Sequence, residues 1–123
     1  YTMNGLHILA ELNHCACKPL LLQDANALRK LCIDAVQSAG LSAVGELFYT
    51  FEGAGGVTGT ILLAESHLAV HTWPELSAIT LDAYVCNLTA DNSAKANALV
   101  NQLVAEFAPL HTAKKLVHRG NLR

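Results

Sequence analysis

The reactive side chains of this 123-residue chain concentrate in one stretch. Between Phe51 and Cys86 lie Thr58, Glu65, Ser66, His67, His71, Trp73, Glu75 and Asp82, so hydroxyls, imidazoles, carboxylates and a thiol share one region. A serine-histidine hydrolase is the first chemistry to test. The nucleophile elbow G-x-S-x-G is missing, because Ser66 stands between Glu65 and His67. Strand alternation also puts Ser66 and His71 on opposite faces of a straight strand, so a simple triad is not expected. For the two to act together, the chain must bend after Ser66 or a neighbouring strand must intervene.

The glycine run Gly53-Ala54-Gly55-Gly56 is neither G-x-G-x-x-G nor a phosphate loop of the Walker A kind. The next residues, Val57-Thr58-Gly59-Thr60-Ile61-Leu62, have strand character, so no helix N-terminus waits to receive a phosphate. A hairpin beside a site is the expectation. Cys15, Cys17, Cys32 and Cys86 have no secretory context, which argues against disulfides. His14-Cys15-Ala16-Cys17 lacks the C-x2-C spacing and has no second ligand pair after it, so no metal is expected. By residue type alone, Cys32 reads as helix core and Cys86 as strand packing.

Two segments must carry helices. Leu28, Leu31, Cys32, Ala35, Val36 and Ala39 repeat at helical spacing before Gly40; Ala96, Leu99, Val100, Leu103, Val104 and Phe107 repeat it between a cap at Asp91 or Asn92 and a stop at Pro109. The rest reads as strands over 6–12, 41–51, 57–64, 67–73, 79–85 and 115–119, in the order β-α-β-β-β-β-α-β. Two helices cover one face of such a sheet, yet Thr60-Ile61-Leu62-Leu63-Ala64 and Leu81-Asp82-Ala83-Tyr84-Val85 carry bulky groups on both. The expected fold is therefore α+β, an antiparallel sheet with two helices on one face, dimerising sheet to sheet into an α/β/β/α sandwich.

Length fits one domain over residues 1–123. Charged residues make up 15% against 52% hydrophobic, leaner in charge than the roughly 25% of an average domain, in keeping with a subunit interface. The net charge is −2 and the basic residues are scattered, apart from a mildly basic tail from Lys114 to Arg123, so no nucleic-acid partner is expected. No apolar run reaches the ~20 residues of a membrane span, and Tyr1-Thr2-Met3-Asn4-Gly5 does not read as a signal peptide. A cytoplasmic protein is expected.

The run from Gly56 to Glu75, with Glu65-Ser66-His67-Leu68-Ala69-Val70-His71-Thr72-Trp73 at its centre, resembles the signature of the prokaryotic S-adenosylmethionine decarboxylase proenzymes. The likeness extends from Gly5-Leu6-His7-Ile8-Leu9-Ala10-Glu11-Leu12 through Asp82 and Cys86 to Arg119-Gly120, nearly the whole chain. The resemblance implies a zymogen that cuts itself between Glu65 and Ser66. The Ser66 hydroxyl attacks the Glu65 carbonyl to give an ester, and elimination followed by hydrolysis leaves a covalent pyruvoyl group in place of Ser66. The products would be a β chain, residues 1–65, and an α chain, residues 66–123. By the same resemblance Thr58 assists processing, His71 is its base, and Cys86 is the proton donor in decarboxylation. Phe51 and His71 would sandwich the adenine, and Glu75 would accept hydrogen bonds from the ribose. The pyruvoyl would form a Schiff base with the substrate amine and act as electron sink, with no metal, toward spermidine biosynthesis.

The chain departs from the family pattern in places. Thr58 stands where Ser is usual, the glycine hairpin is one residue longer, Leu76-Ser77 replaces Tyr-Gly, and Asn13-His14 replaces another Tyr-Gly. These departures keep one alternative alive on the same fold, a pyruvoyl-dependent ornithine or arginine decarboxylase; a second alternative, of another class, is an unprocessed, non-catalytic partner subunit.

Overall fold

The computed structural model describes residues 3–53, 55–64, 66–87 and 91–122. Its elements are β1 (Met3–Cys15), α1 (Leu20–Gln23), α2 (Ala25–Ser38), β2 (Ala43–Thr50), β3 (Val57–Leu63), β4 (Ser66–Trp73), a 3-10 turn (Pro74–Leu76), β5 (Ala78–Cys86), α3 (Ser93–Phe107) and β6 (Pro109–Leu122). The expected order holds, with the four-residue α1 and the 3-10 turn added between its members. Both are too short to show a period.

The six strands form one sheet in the order β2-β3-β4-β5-β1-β6, and every neighbouring pair is antiparallel. The N-terminal strand thus lies between β5 and β6. Its pairing with β6 runs from Met3↔Leu122 to Cys15↔Pro109, so β6 begins at Pro109 and is far longer than the expected 115–119. Pro109 ends the helix, as expected, and starts the strand as well. Alternation misses this because β6 is an edge strand whose side chains from His111 to Arg119 are exposed.

Helix periodicity translates directly into packing. Leu28, Cys32, Ala35 and Val36 of α2, and Ala96, Leu99, Val100, Leu103 and Phe107 of α3, are buried against one face of the sheet. That face presents Leu6, Ile8 and Leu12 from β1, Ile61 from β3, Leu68 and Val70 from β4, and Ile79, Leu81 and Val85 from β5. Each such side chain contributes about 1.5–3 kcal/mol by leaving water. Asp24 caps α2 by accepting from Asn26 N at 3.1 Å. At α3 Asn92 occupies the cap position, but it is the Asp91 carboxylate that accepts from Ser93 N, at 3.0 Å, and this bond holds Asp91 below the usual carboxylate range. Asn92 turns its amide to the carbonyl of Cys86, 2.8 Å away, and so fastens the start of α3 to the end of β5.

Among the described residues no helix covers the other face. Leu47, Tyr49 and Leu62 stand there at 71, 56 and 52% exposure. Among the described residues no helix is long and apolar enough to cross a membrane.

Two of the departures meet in one place. His14 and Ser77, both where the family pattern has Gly, adopt φ of 51° and 49°, and their turns are joined by Cys15 N donating to Ser77 O at 2.8 Å. A non-glycine residue there costs about 1–2 kcal/mol, only partly offset by the extra chain entropy a glycine would lose. Ser77→Gly should therefore raise stability by about 0.5 kcal/mol, read as a higher urea midpoint with unchanged slope. A lower midpoint would mean that the Ser77 side chain holds the turn.

Candidate active site

β3, β4 and β5 are consecutive antiparallel strands, so residues close in sequence come to lie side by side. Thr58 faces His71 directly across β3 and β4, and Thr58 Oγ1 and His71 Nδ1 are hydrogen-bonded at 3.2 Å. Phe51 comes directly after β2, its ring edge-on to Tyr49 with centroids 5.0 Å apart. Glu75 lies in the 3-10 turn just after β4. Phe51, Thr58, His71 and Glu75 line one open cavity of about 340 Å³ together with Gly56, Thr72 and Trp73. The expected hairpin beside a site is present, since Phe51 N donates to Gly56 O at 2.8 Å to close it.

Thr72 anchors this cavity from below. It is 5% exposed, accepts from Val57 N at 2.8 Å and donates to the Leu22 carbonyl at 2.7 Å. β3, β4 and the end of α1 are thereby tied together directly beneath Thr58 and His71.

Ser66 and Cys86 lie elsewhere. Ser66 is the first residue of β4, paired with Leu63 and Val85, and Cys86 is the last of β5, opposite Gly5. Val85, the register partner of Ser66, is followed directly by Cys86, so the two lie on adjacent rungs. From Ser66 to His71 the strand runs five residues, roughly 17 Å at ~3.4 Å per residue. By alternation Ser66 shares the parity of Leu68 and Val70 toward the helices, whereas His71 shares that of His67 and Ala69 on the open face. Glu65 lies outside the described residues. Ala64 and Glu65 are the whole connection between β3 and β4.

A polar cluster fills the open face beside Cys86. Arg119 Nη1 donates to His7 Nδ1 at 3.1 Å, and His7 Nε2 in turn donates to Asp82 Oδ2 at 3.0 Å, which fixes the His7 tautomer. His67 Nε2 approaches the same oxygen at 3.7 Å. Tyr84 lies beneath Arg119, whose Cζ is 4.6 Å from its ring centroid. Burial, and then the adjacent Cys86 thiol, push the Tyr84 hydroxyl above its ordinary range; Arg119 acts in the opposite direction. Asp82 and His67 stand out in the sequence, but Tyr84 and Arg119 do not, because the cluster is assembled from β1, β4, β5 and β6.

None of the four cysteines, all of them described, is in a disulfide. Burial pushes Cys15 up to about 11 and Cys32 to about 12, and raises Cys17, which keeps these thiols protonated and unreactive near neutral pH. Cys32 is fully buried helix core, as expected. Among the described residues no group of three or more His, Cys, Asp or Glu is arranged to hold a metal ion.

Comparison with known proteins gives the family of the chain. The chain matches the family S-adenosylmethionine decarboxylase over residues 6–120. It is 35% identical over 116 residues to the S-adenosylmethionine decarboxylase proenzyme of Hydrogenobaculum sp. (strain Y04AAS1), covering 94% of this chain and 81% of that protein. To the proenzyme of Pyrococcus horikoshii it is 32% identical over 111 residues, 90% of this chain and 78% of that one. The crystal structure of adenosylmethionine decarboxylase from Aquifex aeolicus VF5 shares its fold with a TM-score of 0.86 at 31% identity, over 100% of this chain and 96% of that chain. A six-stranded antiparallel sheet with its helices on one face is thus the architecture of a decarboxylase. The chain belongs to the S-adenosylmethionine decarboxylase family.

Proposed function

We propose that this chain is a cytoplasmic proenzyme that cuts itself between Glu65 and Ser66 and decarboxylates S-adenosylmethionine through a pyruvoyl group made from Ser66. The observation that carries the reading is the place of Ser66 at the head of β4, directly after a two-residue connection and one rung from Cys86. A cut there severs a turn and spares the sheet. Residues 1–65 supply β1, β2 and β3 and residues 66–123 supply β4, β5 and β6, and because β1 is inserted between β5 and β6 the two pieces of this one domain stay interleaved.

Processing needs a donor for the oxyanion formed at the Glu65 carbonyl and a base for the α-proton of residue 66. The Thr58–His71 pair has both functions, a hydroxyl and an imidazole already hydrogen-bonded to each other. Proton transfer requires contact at about 2.6–3.2 Å, and roughly 17 Å of strand separates His71 from Ser66 in one chain. The pair therefore serves the Ser66 of a second copy. A two-fold axis lying between two sheets and across their strands brings the His71 end of one β4 to the Ser66 end of the other, and covers Leu47, Tyr49 and Leu62 in the same contact. This is the α/β/β/α homodimer, with two identical composite sites.

When formed, the pyruvoyl supplies a carbonyl that captures the substrate amine and withdraws the electrons released with carbon dioxide. The remaining tasks fall to side chains. Phe51 and His71 stack on the adenine, Glu75 accepts from the ribose hydroxyls, and the aromatic face of Phe51 suits the sulfonium cation. The cavity they line, about 340 Å³, is within the roughly 300–1,000 Å³ usual for small-molecule sites. Cys86 returns a proton to the substrate carbon. The product is then an aminopropyl donor for spermidine synthesis.

The family match favours this substrate over ornithine or arginine, and an enzyme over a non-catalytic partner. Purified protein given each carboxyl-labelled substrate separately should release labelled carbon dioxide from S-adenosylmethionine. Release from ornithine or arginine alone would overturn the assignment.

A further inference from the structure

None of these steps uses Tyr84, yet its surroundings fix it closely. It stands two residues before Cys86 on β5 and shares its face. Gly5 is the register partner of Cys86, and a Cβ at Gly5 would lie 2.8 Å from Tyr84 Cε1 and 3.2 Å from its hydroxyl oxygen. The phenol therefore reaches the Cys86 rung through space that only a glycine leaves open. Arg119 covers the ring at 4.6 Å, and the rings of His7 and His67 flank it with centroids at 5.7 and 6.0 Å. At the end of this slot the hydroxyl comes beside the Cys86 rung, where the thiol pushes it above its ordinary range.

We propose that Tyr84 is a positioning residue for Cys86, its hydroxyl donating to Sγ and holding the sulfur beside residue 66. This rests on Cys86 being the proton donor. In that step the S–H bond breaks, the proton goes to the substrate carbon that has lost carbon dioxide, and the electron pair stays on sulfur. Tyr84 O–H stabilises the resulting thiolate until water reprotonates it. A sulfur without this donor is free to turn about its χ1 and is a poorer thiolate. The proton is then delivered more often to the carbon of residue 66, and hydrolysis leaves that residue as alanine and the substrate as an aldehyde, with no net oxidation. The enzyme is dead after that turnover.

Tyr84→Phe keeps the ring and removes the donor. In processed enzyme it should leave self-cleavage and KM unchanged while the number of turnovers before inactivation falls about tenfold, with alanine at position 66 seen by mass. In the uncleaved Ser66→Ala chain, where no pyruvoyl exists, Tyr84→Phe should slow alkylation of Cys86 by iodoacetamide about tenfold at mildly alkaline pH. An unchanged turnover number, or an alkylation rate that is equal or faster, would overturn the proposal. Cys86→Ala separates the two levels. If it sharply reduces the turnover number and Tyr84→Phe does not, the Tyr84 role alone fails; if it also changes nothing, Cys86 is not the donor and both readings fall.

Discussion

A Ser66→Ala chain should fold, remain uncut indefinitely and release no carbon dioxide. The serine oxygen is the only atom removed, from a half-buried residue at the first position of a strand whose pairing is entirely backbone, so the sheet keeps its register. Without that oxygen the Glu65 carbonyl has no nucleophile and the ester cannot form. No pyruvoyl arises, and the loss of decarboxylation should be complete. Circular dichroism and the unfolding midpoint should match the wild type, and electrophoresis should show one band. Cleavage of the Ser66→Ala chain would mean that another agent makes the cut.

The second large effect is a rescue. Alone, Ser66→Ala lacks the nucleophile and His71→Ala lacks the base, so neither should cleave. When the two chains are unfolded and refolded together, each mixed dimer holds one site with Ser66 from the His71→Ala chain facing His71 from the Ser66→Ala chain. Random pairing puts about half of the His71→Ala chains in such dimers, so about half of them should be cut. Every cut C-terminal fragment should carry the His71→Ala substitution, because only that chain retains the serine. A mixture that stays wholly uncut would place His71 and Ser66 in the same working unit of one chain and contradict the shared site.

Why some of this is legible in the residues, and some not, has physical reasons. The 3.6-residue spacing of Leu28 to Val36 and of Ala96 to Phe107 requires two helices with one buried stripe each, and both are seen. The alternation of Ile79, Leu81, Ala83 and Val85 requires a strand with a covered face, and they are 0–2% exposed. β6 reads too short because an edge strand with exposed side chains carries no alternation, and its length is set by β1, over a hundred residues away at Met3↔Leu122. The convergence of Phe51, Thr58, His71 and Glu75 comes from consecutive hairpins, which convert sequence proximity into contact. Tyr84, Arg119 and His7 escape because their contact depends on β1 slipping between β5 and β6, which no local pattern encodes. The opposed faces of Ser66 and His71 are readable from parity alone. The need for a base from a second copy comes instead from the distance along β4.

Self-cleavage at Ser66 can be read from the intact mass of the purified wild-type chain after prolonged incubation. Two species should appear, one ending at Glu65 and one beginning at position 66, the latter lighter by one ammonia than simple hydrolysis would leave it and blocked to sequential degradation. A single uncut chain, or a C-terminal piece that begins with an unmodified serine, would contradict it.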